Sequence, residues 1–126
     1  MIDIDRQIAS WRDGAEEDFT VARELLDGGR VRHGLFFAHP ALEKALKANV
    51  CRRTRDLPPR IHNLVRLARL ADVNANEEQV NILAEMNAFS VEARYPESAL
   101  PSPTLDEARA YFARATEVFR WLMSLS

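Results

Sequence analysis

Apolar residues recur every three or four positions along most of the chain, a spacing that predicts amphipathic helices. The first run extends from Ile4 to Leu26. It predicts a helix of about six turns, because an α-helix has 3.6 residues per turn. Its apolar positions are Ile4, Ile8, Trp11, Ala15, Phe19, Ala22, Leu25 and Leu26. The paired glycines Gly28 and Gly29 end it, since glycine readily adopts the left-handed conformation that terminates helices. A second helix is predicted from about Arg30 to Arg53.

Prolines and capping residues divide the rest of the chain. Pro58 and Pro59 interrupt helical structure between 54 and 61. A short third helix is predicted from about His62 to Val73 and Asn74. A fourth is predicted to begin after Asn76, with Gln79 completing a capping box, and to stop before Pro96. Its inward-facing positions are predicted to be Val80, Leu83, Ala84, Asn87, Ala88 and Val91.

The last helix has the clearest start signal in the sequence. Thr104 is followed three residues later by Glu107, which is a capping box that opens a helix at Leu105. No segment alternates polar and apolar residues with a period of two, so no sheet is predicted. The fold class is therefore all-α: an antiparallel up-and-down bundle of four long helices plus one short helix, in a single domain over 1–126.

Composition and length are those of a globular protein. The chain has 126 residues, of which 47% are apolar and 29% charged, and no apolar run approaches the roughly 20 residues of a membrane span. The N-terminal stretch is acidic and amphipathic, unlike a secretory signal. Cys51 is the single cysteine and cannot form an internal disulfide. We therefore expect a cytoplasmic protein that does not enter the membrane.

The net charge of −2 conceals a strong segregation of charge. From Arg30 to Arg69 there are ten Lys and Arg against two acids, or +8, whereas the segments before and after each sum to −5. A basic segment of this kind favours an anionic partner such as a nucleotide, RNA or an acidic protein surface. The alternative is that the flanking acids fold against it and neutralise it internally.

The basic segment also contains the main candidate site. His39, Glu43 and Lys47 are four residues apart and form one polar stripe on the second helix, predicted to be a surface. The loop at 54–61 can bring His62 back towards that stripe. A metal site from His39, Glu43 and His62 is conceivable, but only the first two share a helix face, and we expect neither a metal nor another cofactor. A solvated helix face without function is the alternative interpretation.

Three other positions carry possible chemistry. Arg94 and Tyr95 close the fourth helix, where the arginine can hold a phosphate and the ring can stack on a base. Cys51 precedes Arg52 and Arg53, whose charges would lower the pKa of its thiol, but no dedicated base accompanies it. The sequence contains no glycine-rich phosphate loop and no HExxH motif.

Several short segments, taken in order, resemble the HEPN domain family. They are A-x-x-D-F-x-x-A-x-x-L-L at 15–26, F-F-A-H-x-A-x-E-K-A-L-K-A at 36–48, I-H-N-L-x-x-L at 61–67 and A-R-Y-P at 93–96. The resemblance covers nearly the whole chain. It implies a helical up-and-down bundle, a homodimer and, in prokaryotes, pairing with a minimal nucleotidyltransferase in a toxin-antitoxin or related system.

The resemblance also implies a possible activity. Many members are RNases whose arginine and histidine, four to six residues apart, assemble across a dimer. In this sequence Arg94 is followed by no histidine, whereas Arg55 and His62 have six residues between them within the proline-containing loop. Metal-independent cleavage needs a base for the 2′-hydroxyl and a cation for the phosphate, roles that His62 and Arg55 would fill.

Three functional hypotheses follow. The first is a binding subunit for nucleotide or RNA that partners a minimal nucleotidyltransferase, with a site lined by His39, Glu43, Lys47, His62, Arg94 and Tyr95. The second is an endoribonuclease toxin with Arg55 and His62 as catalytic residues. The third is a non-catalytic oligomerisation scaffold.

Overall fold

Five helices make up the fold in a computed structural model that describes residues 2–94 and 102–126, with side chains from 91 to 94 excepted. They are α1 (Ile4–Asp27), α2 (Val31–Thr54), α3 (Leu64–Ala71), α4 (Glu77–Arg94) and α5 (Leu105–Leu125). The described residues contain no strand. The all-α prediction of four long helices and one short helix is confirmed. No helix among these residues is long and apolar enough to cross a membrane.

Helix α2 is the centre of the bundle and packs against each of the other four helices. For this reason it is buried on several sides rather than along one stripe, and even polar residues such as Lys47 and Asn49 are covered. Asn49 Nδ2 donates to Ala45 O (2.9 Å) and to Leu122 O (3.1 Å), which joins α2 to the last turn of α5. Any group placed on α2 is therefore held by neighbouring helices.

Close packing of α1 on α2 depends on Gly34. A Cβ atom at this position would lie 3.1 Å from Leu26 N and 3.2 Å from Ala22 O, both of them backbone atoms of α1. Gly14 of α1 faces α2 in the same way. A Cβ atom at Gly14 would lie 3.1 Å from Cδ of Lys44, which belongs to a flexible side chain and not to the backbone. The two glycines thus differ in whether their neighbour can move.

We expect Gly34→Ala to destabilise the protein by about 1 to 2 kcal/mol, because overpacking against a backbone outweighs the gain in helix propensity. Gly14→Ala is the matched control and should be neutral or stabilising by up to about 1 kcal/mol, since Lys44 can move aside. Chemical denaturation of both variants measures this difference. Equal stability of the two variants would contradict the close helix approach.

Capping residues determine where α3, α4 and α5 begin. Thr104 and Glu107 form the predicted reciprocal capping box, and Asn76 and Gln79 exchange the two predicted bonds, at 2.8 and 2.9 Å. For α3 the cap is Asn63, whose side chain accepts from Arg66 N. Helix α3 therefore starts two residues later than predicted, and His62 precedes it rather than opening it.

The buried face of α4 differs from the prediction. Leu83 is buried as expected, but Ala84 and Ala88 are exposed, and Ile82 and Met86 are fully covered instead. Apolar residues lie on almost every side of this helix, so their spacing alone does not select one face. The position of α2 beside α4 makes the selection. Val91 lies outside the described side chains.

An aromatic stack joins α1 to α5. The Phe19 ring is parallel to Phe119 at 4.3 Å and stacks on Phe112 at 5.0 Å between centroids. At the far end of α5, Arg12 Nη1 donates to the carbonyls of Met123 (2.6 Å) and Ser126 (3.0 Å). These bonds satisfy carbonyls that have no donor within a helix end. Because an earlier residue of α1 contacts a later part of α5, the two helices are antiparallel.

Candidate functional site

The polar stripe of α2 lies in the interior of the bundle, not on the surface as predicted. Only 4% of His39 and 5% of Lys47 are exposed, and 13% of the Glu43 side chain. The reason is the central position of α2, because α4, the segment before α3 and Trp11 of α1 cover the stripe. We call the group formed by His39, Glu43, Lys47, His62 and Asn87 the polar cluster.

Glu43 is the centre of the polar cluster. Its Oε2 accepts from Lys47 Nζ at 3.2 Å, and its Oε1 lies 3.0 Å from His62 Nδ1 and 3.8 Å from His39 Nδ1. The structure therefore brings together four of the predicted binding residues, including His62 from a different segment. A carboxylate this deeply placed requires such partners, because desolvating an unpaired charge is costly.

Asn87 of α4 connects the cluster to the start of α3 and was not among the predicted site residues. Its Oδ1 accepts from Leu64 N at 3.0 Å and lies 3.3 Å from His39 Nε2. Its Nδ2 donates to Asn63 Oδ1 at 3.2 Å. The sequence signal was an amide on the predicted inward side of a helix, which must find hydrogen-bond partners when it is buried.

Lys47 neutralises Glu43 and makes no surface charge of its own. Besides the ion pair, its ammonium lies 5.3 Å from the centroid of the Trp11 ring, within the range of a cation–π contact. The Glu43–Lys47 pair sums to zero charge. Any attraction for an anionic ligand must therefore come from His62 or from arginines around the cluster, not from the stripe itself.

His62 is the exposed member of the polar cluster. Its side chain is 66% exposed, while the Glu43 oxygen that contacts its Nδ1 belongs to a side chain that is 13% exposed. A carboxylate at one ring nitrogen orients an imidazole and leaves the other nitrogen, Nε2, available for a ligand. The arrangement thus presents a fixed imidazole edge, able to donate to a phosphate or to accept a proton.

Arg55 and His62, the predicted catalytic pair, contact different partners. Arg55 ends α2 in the left-handed conformation (φ 55°), and its Nη1 lies 2.9 Å from Asp5 Oδ1 at the start of α1. Glu43, which holds His62, is about 18 Å from Arg55 along the α2 axis at 1.5 Å per residue. Within one chain the two groups thus face different acids.

Arg94 is the last residue of α4, as predicted, but its side chain and the whole of Tyr95 lie outside the described residues. Their predicted role in binding stays a prediction.

Cys51 is not activated by the arginines that follow it. Burial raises the pKa of its thiol, and the nearby Asp56 adds to this effect, while a backbone hydrogen bond and the Trp11 indole oppose it. The thiol is fully covered, whereas Arg52 is exposed and the guanidinium of Arg53 contacts Leu70 O and Asp72 instead of the thiol. A buried thiol with a raised pKa is a poor nucleophile.

Metal-binding geometry is absent from the described part of the chain, where no three His, Cys, Asp or Glu side chains are arranged to hold an ion. Although His39 and His62 both approach Glu43, the Lys47 ammonium occupies the other side of that carboxylate. A cation at this position would be repelled by it.

The described residues form a small helical bundle with a buried charged centre on α2. A profile of the HEPN domain matches residues 8–125, and the chain belongs to the HEPN domain family. A comparison with curated proteins gives no match.

Two crystal structures are similar to this chain. One, of a Thermus thermophilus protein, has a TM-score of 0.82 and 21% identity, covering 95% of this chain and 98% of the other. The second, of an archaeal HEPN homologue, has a TM-score of 0.72 and 20% identity, covering 93% and 95%. At this level of identity they show the fold alone, which agrees with the family assignment.

Proposed function

We propose that the chain is a binding subunit for a nucleotide or RNA, whose ligand contacts the exposed edge of the polar cluster. The observation that carries this proposal is the orientation of His62, an exposed imidazole held by the nearly buried Glu43. Preorganised polar groups are typical of ligand sites. The predicted site residues Arg94 and Tyr95 remain part of the proposal.

The charge around His62 supports a ligand with phosphates. Arg60 lies two residues before it and Arg66 one helical turn after the Asn63 cap, and both are exposed. Arginine binds phosphate through paired donors. Because Glu43 is already neutralised by Lys47, its carboxylate opposes such a ligand only weakly.

Isothermal titration calorimetry with ATP and with GTP tests this proposal. We expect His62→Ala to lower the affinity of the bound nucleotide roughly tenfold, which is the loss of one hydrogen bond to a charged group. His33→Ala is the matched control, because His33 is also exposed but lies in the first turn of α2. It should leave the affinity unchanged.

Binding that is unaffected by His62→Ala would remove the polar cluster from the site. The absence of heat with both nucleotides, together with no binding of RNA, would contradict the proposed function. Lys47→Ala is not a suitable probe, since Lys47 is buried in an ion pair and its loss would change stability first.

The second candidate function is a metal-independent endoribonuclease with His62 and Arg55 as catalytic residues. The specific observation in its favour is again the contact of His62 Nδ1 with Glu43, since a carboxylate-oriented imidazole is the arrangement of many general bases. The separate ion pair of Arg55 with Asp5 means that the cation would come from a second protomer, as the family resemblance implies.

Incubation of labelled RNA with the purified protein in a chelating buffer tests this alternative. Cleavage by the wild type that is lost in both His62→Ala and Arg55→Ala, but kept in His33→Ala, would support it. Intact RNA after incubation with the wild type would contradict it and leave the binding function unaffected.

We further propose that the chain forms a homodimer and pairs with a minimal nucleotidyltransferase in a toxin-antitoxin-like system. The support is the family membership alone. Co-expression with a nucleotidyltransferase encoded beside it, followed by size-exclusion chromatography with light scattering, tests both parts. A folded monomer that binds no nucleotide, no RNA and no protein would contradict this proposal and the scaffold hypothesis together.

A further inference from the structure

The basic segment divides into neutralised and unneutralised charges. Within the described residues, four of its ten basic side chains form ion pairs with acids. The other six form none and are exposed. The paired residues are Lys44, Lys47, Arg53 and Arg55; the others are Arg30, Arg32, Arg52, Arg60, Arg66 and Arg69. Flanking acids thus neutralise part of the basic segment and leave the remaining arginines exposed.

Three of the unneutralised arginines lie on α3 or in the segment that leads into it. Arg66 and Arg69 are three residues apart on α3 and share its exposed side, since Leu64, Leu67, Ala68 and Ala71 occupy the buried one. Arg60 belongs to the segment that leads into α3. Residues 52–72 contain six arginines and two aspartates, or +4. We call Arg60, Arg66 and Arg69 the arginine face.

The arginine face is held firmly against the rest of the fold. Arg53 Nη1 donates to Leu70 O at 3.1 Å and its Nη2 lies 3.6 Å from Asp72 Oδ2, which fixes the end of α3 to the end of α2. The start of α3 is fixed by the Asn63 cap and by Asn87. The short helix is therefore anchored at both ends, with its charged side directed to solvent.

We propose that the arginine face binds the phosphate backbone of double-stranded RNA, an inference that rests on the proposed function and names its substrate class. Sequence-independent duplex recognition uses charged side chains that contact phosphates, which is what this surface offers. It extends the ligand contact from His62 along α3, over about 12 Å for eight residues.

The composition of the face favours duplex RNA over two other ligands. Single strands are bound by stacking on exposed aromatic rings, and the segment 52–72, which carries the arginine face, contains no Phe, Tyr or Trp. Protein interfaces have an apolar, aromatic-rich centre, whereas Leu70 is the large apolar residue that α3 exposes beside these arginines. Charge is its main property.

Binding of a labelled random-sequence RNA duplex, measured by fluorescence anisotropy at several salt concentrations, tests this inference. Three phosphate contacts on a duplex predict that affinity falls about 40-fold between about 50 and 200 mM salt. The triple variant Arg60→Gln/Arg66→Gln/Arg69→Gln should lower the magnitude of the salt slope by about 2 to 3. Arg30→Gln/Arg32→Gln, exposed arginines at the opposite end of α2, is the matched control and should leave the slope unchanged.

Three outcomes would overturn the inference: no salt-dependent binding of the duplex, an equal loss in the control, or equally tight and equally arginine-dependent binding of poly-glutamate, which would indicate an acidic protein instead. Mononucleotide binding that depends on His62, together with no binding of the duplex, would overturn the inference while leaving the proposed function in place. Far-UV circular dichroism of the triple variant should match the wild type, because all three side chains are exposed.

Discussion

Replacing Glu43 by alanine is expected to lower the free energy of unfolding by about 3 to 5 kcal/mol, because it leaves the Lys47 ammonium buried without its carboxylate. The Lys47 side chain is only 7% exposed, so water cannot take over the role of Glu43. His62 would lose its partner in the same variant. Equilibrium denaturation with urea measures the change in stability. The effect of the lost partner on His62 is measured separately, as a change in ligand affinity, because His62 is exposed.

Two controls separate the buried pair from charge in general. Asp18→Ala breaks the Lys44–Asp18 bridge between α1 and α2, whose side chains are 32% and 18% exposed, and should cost no more than about 1 kcal/mol. The double variant Glu43→Leu/Lys47→Met removes both charges and should recover most of the lost stability. If Glu43→Ala were as mild as Asp18→Ala, the polar cluster would not be a buried structural centre.

Replacing Phe19 by alanine is expected to cost about 3 to 5 kcal/mol, the usual range for a buried phenylalanine. Phe19 stacks on Phe112 and Phe119 and is the aromatic link between α1 and α5. Its loss therefore leaves a cavity between two helices that have few other contacts to close it. Thermal and chemical denaturation both report this change.

Phe19→Leu is the control for the aromatic contribution. Leucine keeps most of the buried apolar volume but loses the ring stacking, which is worth roughly 0.5 to 1.5 kcal/mol. We therefore expect a cost well below that of Phe19→Ala. A loss of less than about 1.5 kcal/mol in Phe19→Ala would show that α1 and α5 are held together by other contacts.

Helix boundaries were predictable because their signals are local. Thr104 and Glu107, or Asn76 and Gln79, need only each other and the adjacent backbone to form a cap. The start of α3 was predicted less accurately. Asn63, and not His62, caps this helix. The reason is that the Asn63 side chain accepts a hydrogen bond from a free backbone N–H of the first turn.

Burial of α2 was not predictable from its own residues. The spacing of His39, Glu43 and Lys47 correctly placed them on one side of a helix, but it does not say what covers that side. The contact between Glu43 and His62 and the ion pair between Arg55 and Asp5 join residues far apart in the chain. Such contacts depend on how the helices are arranged, and the same holds for the role of Asn87.

The sequence by itself determined the helices, their order and the family, since periodicity, caps and short motifs are properties of neighbouring residues. Only the tertiary structure decided that the charged stripe is internal and that His62 is its exposed edge. It also decided which arginines remain unneutralised. The physical reason is that burial and charge pairing depend on distances between helices, which the packing of four helices around α2 sets and no local pattern records.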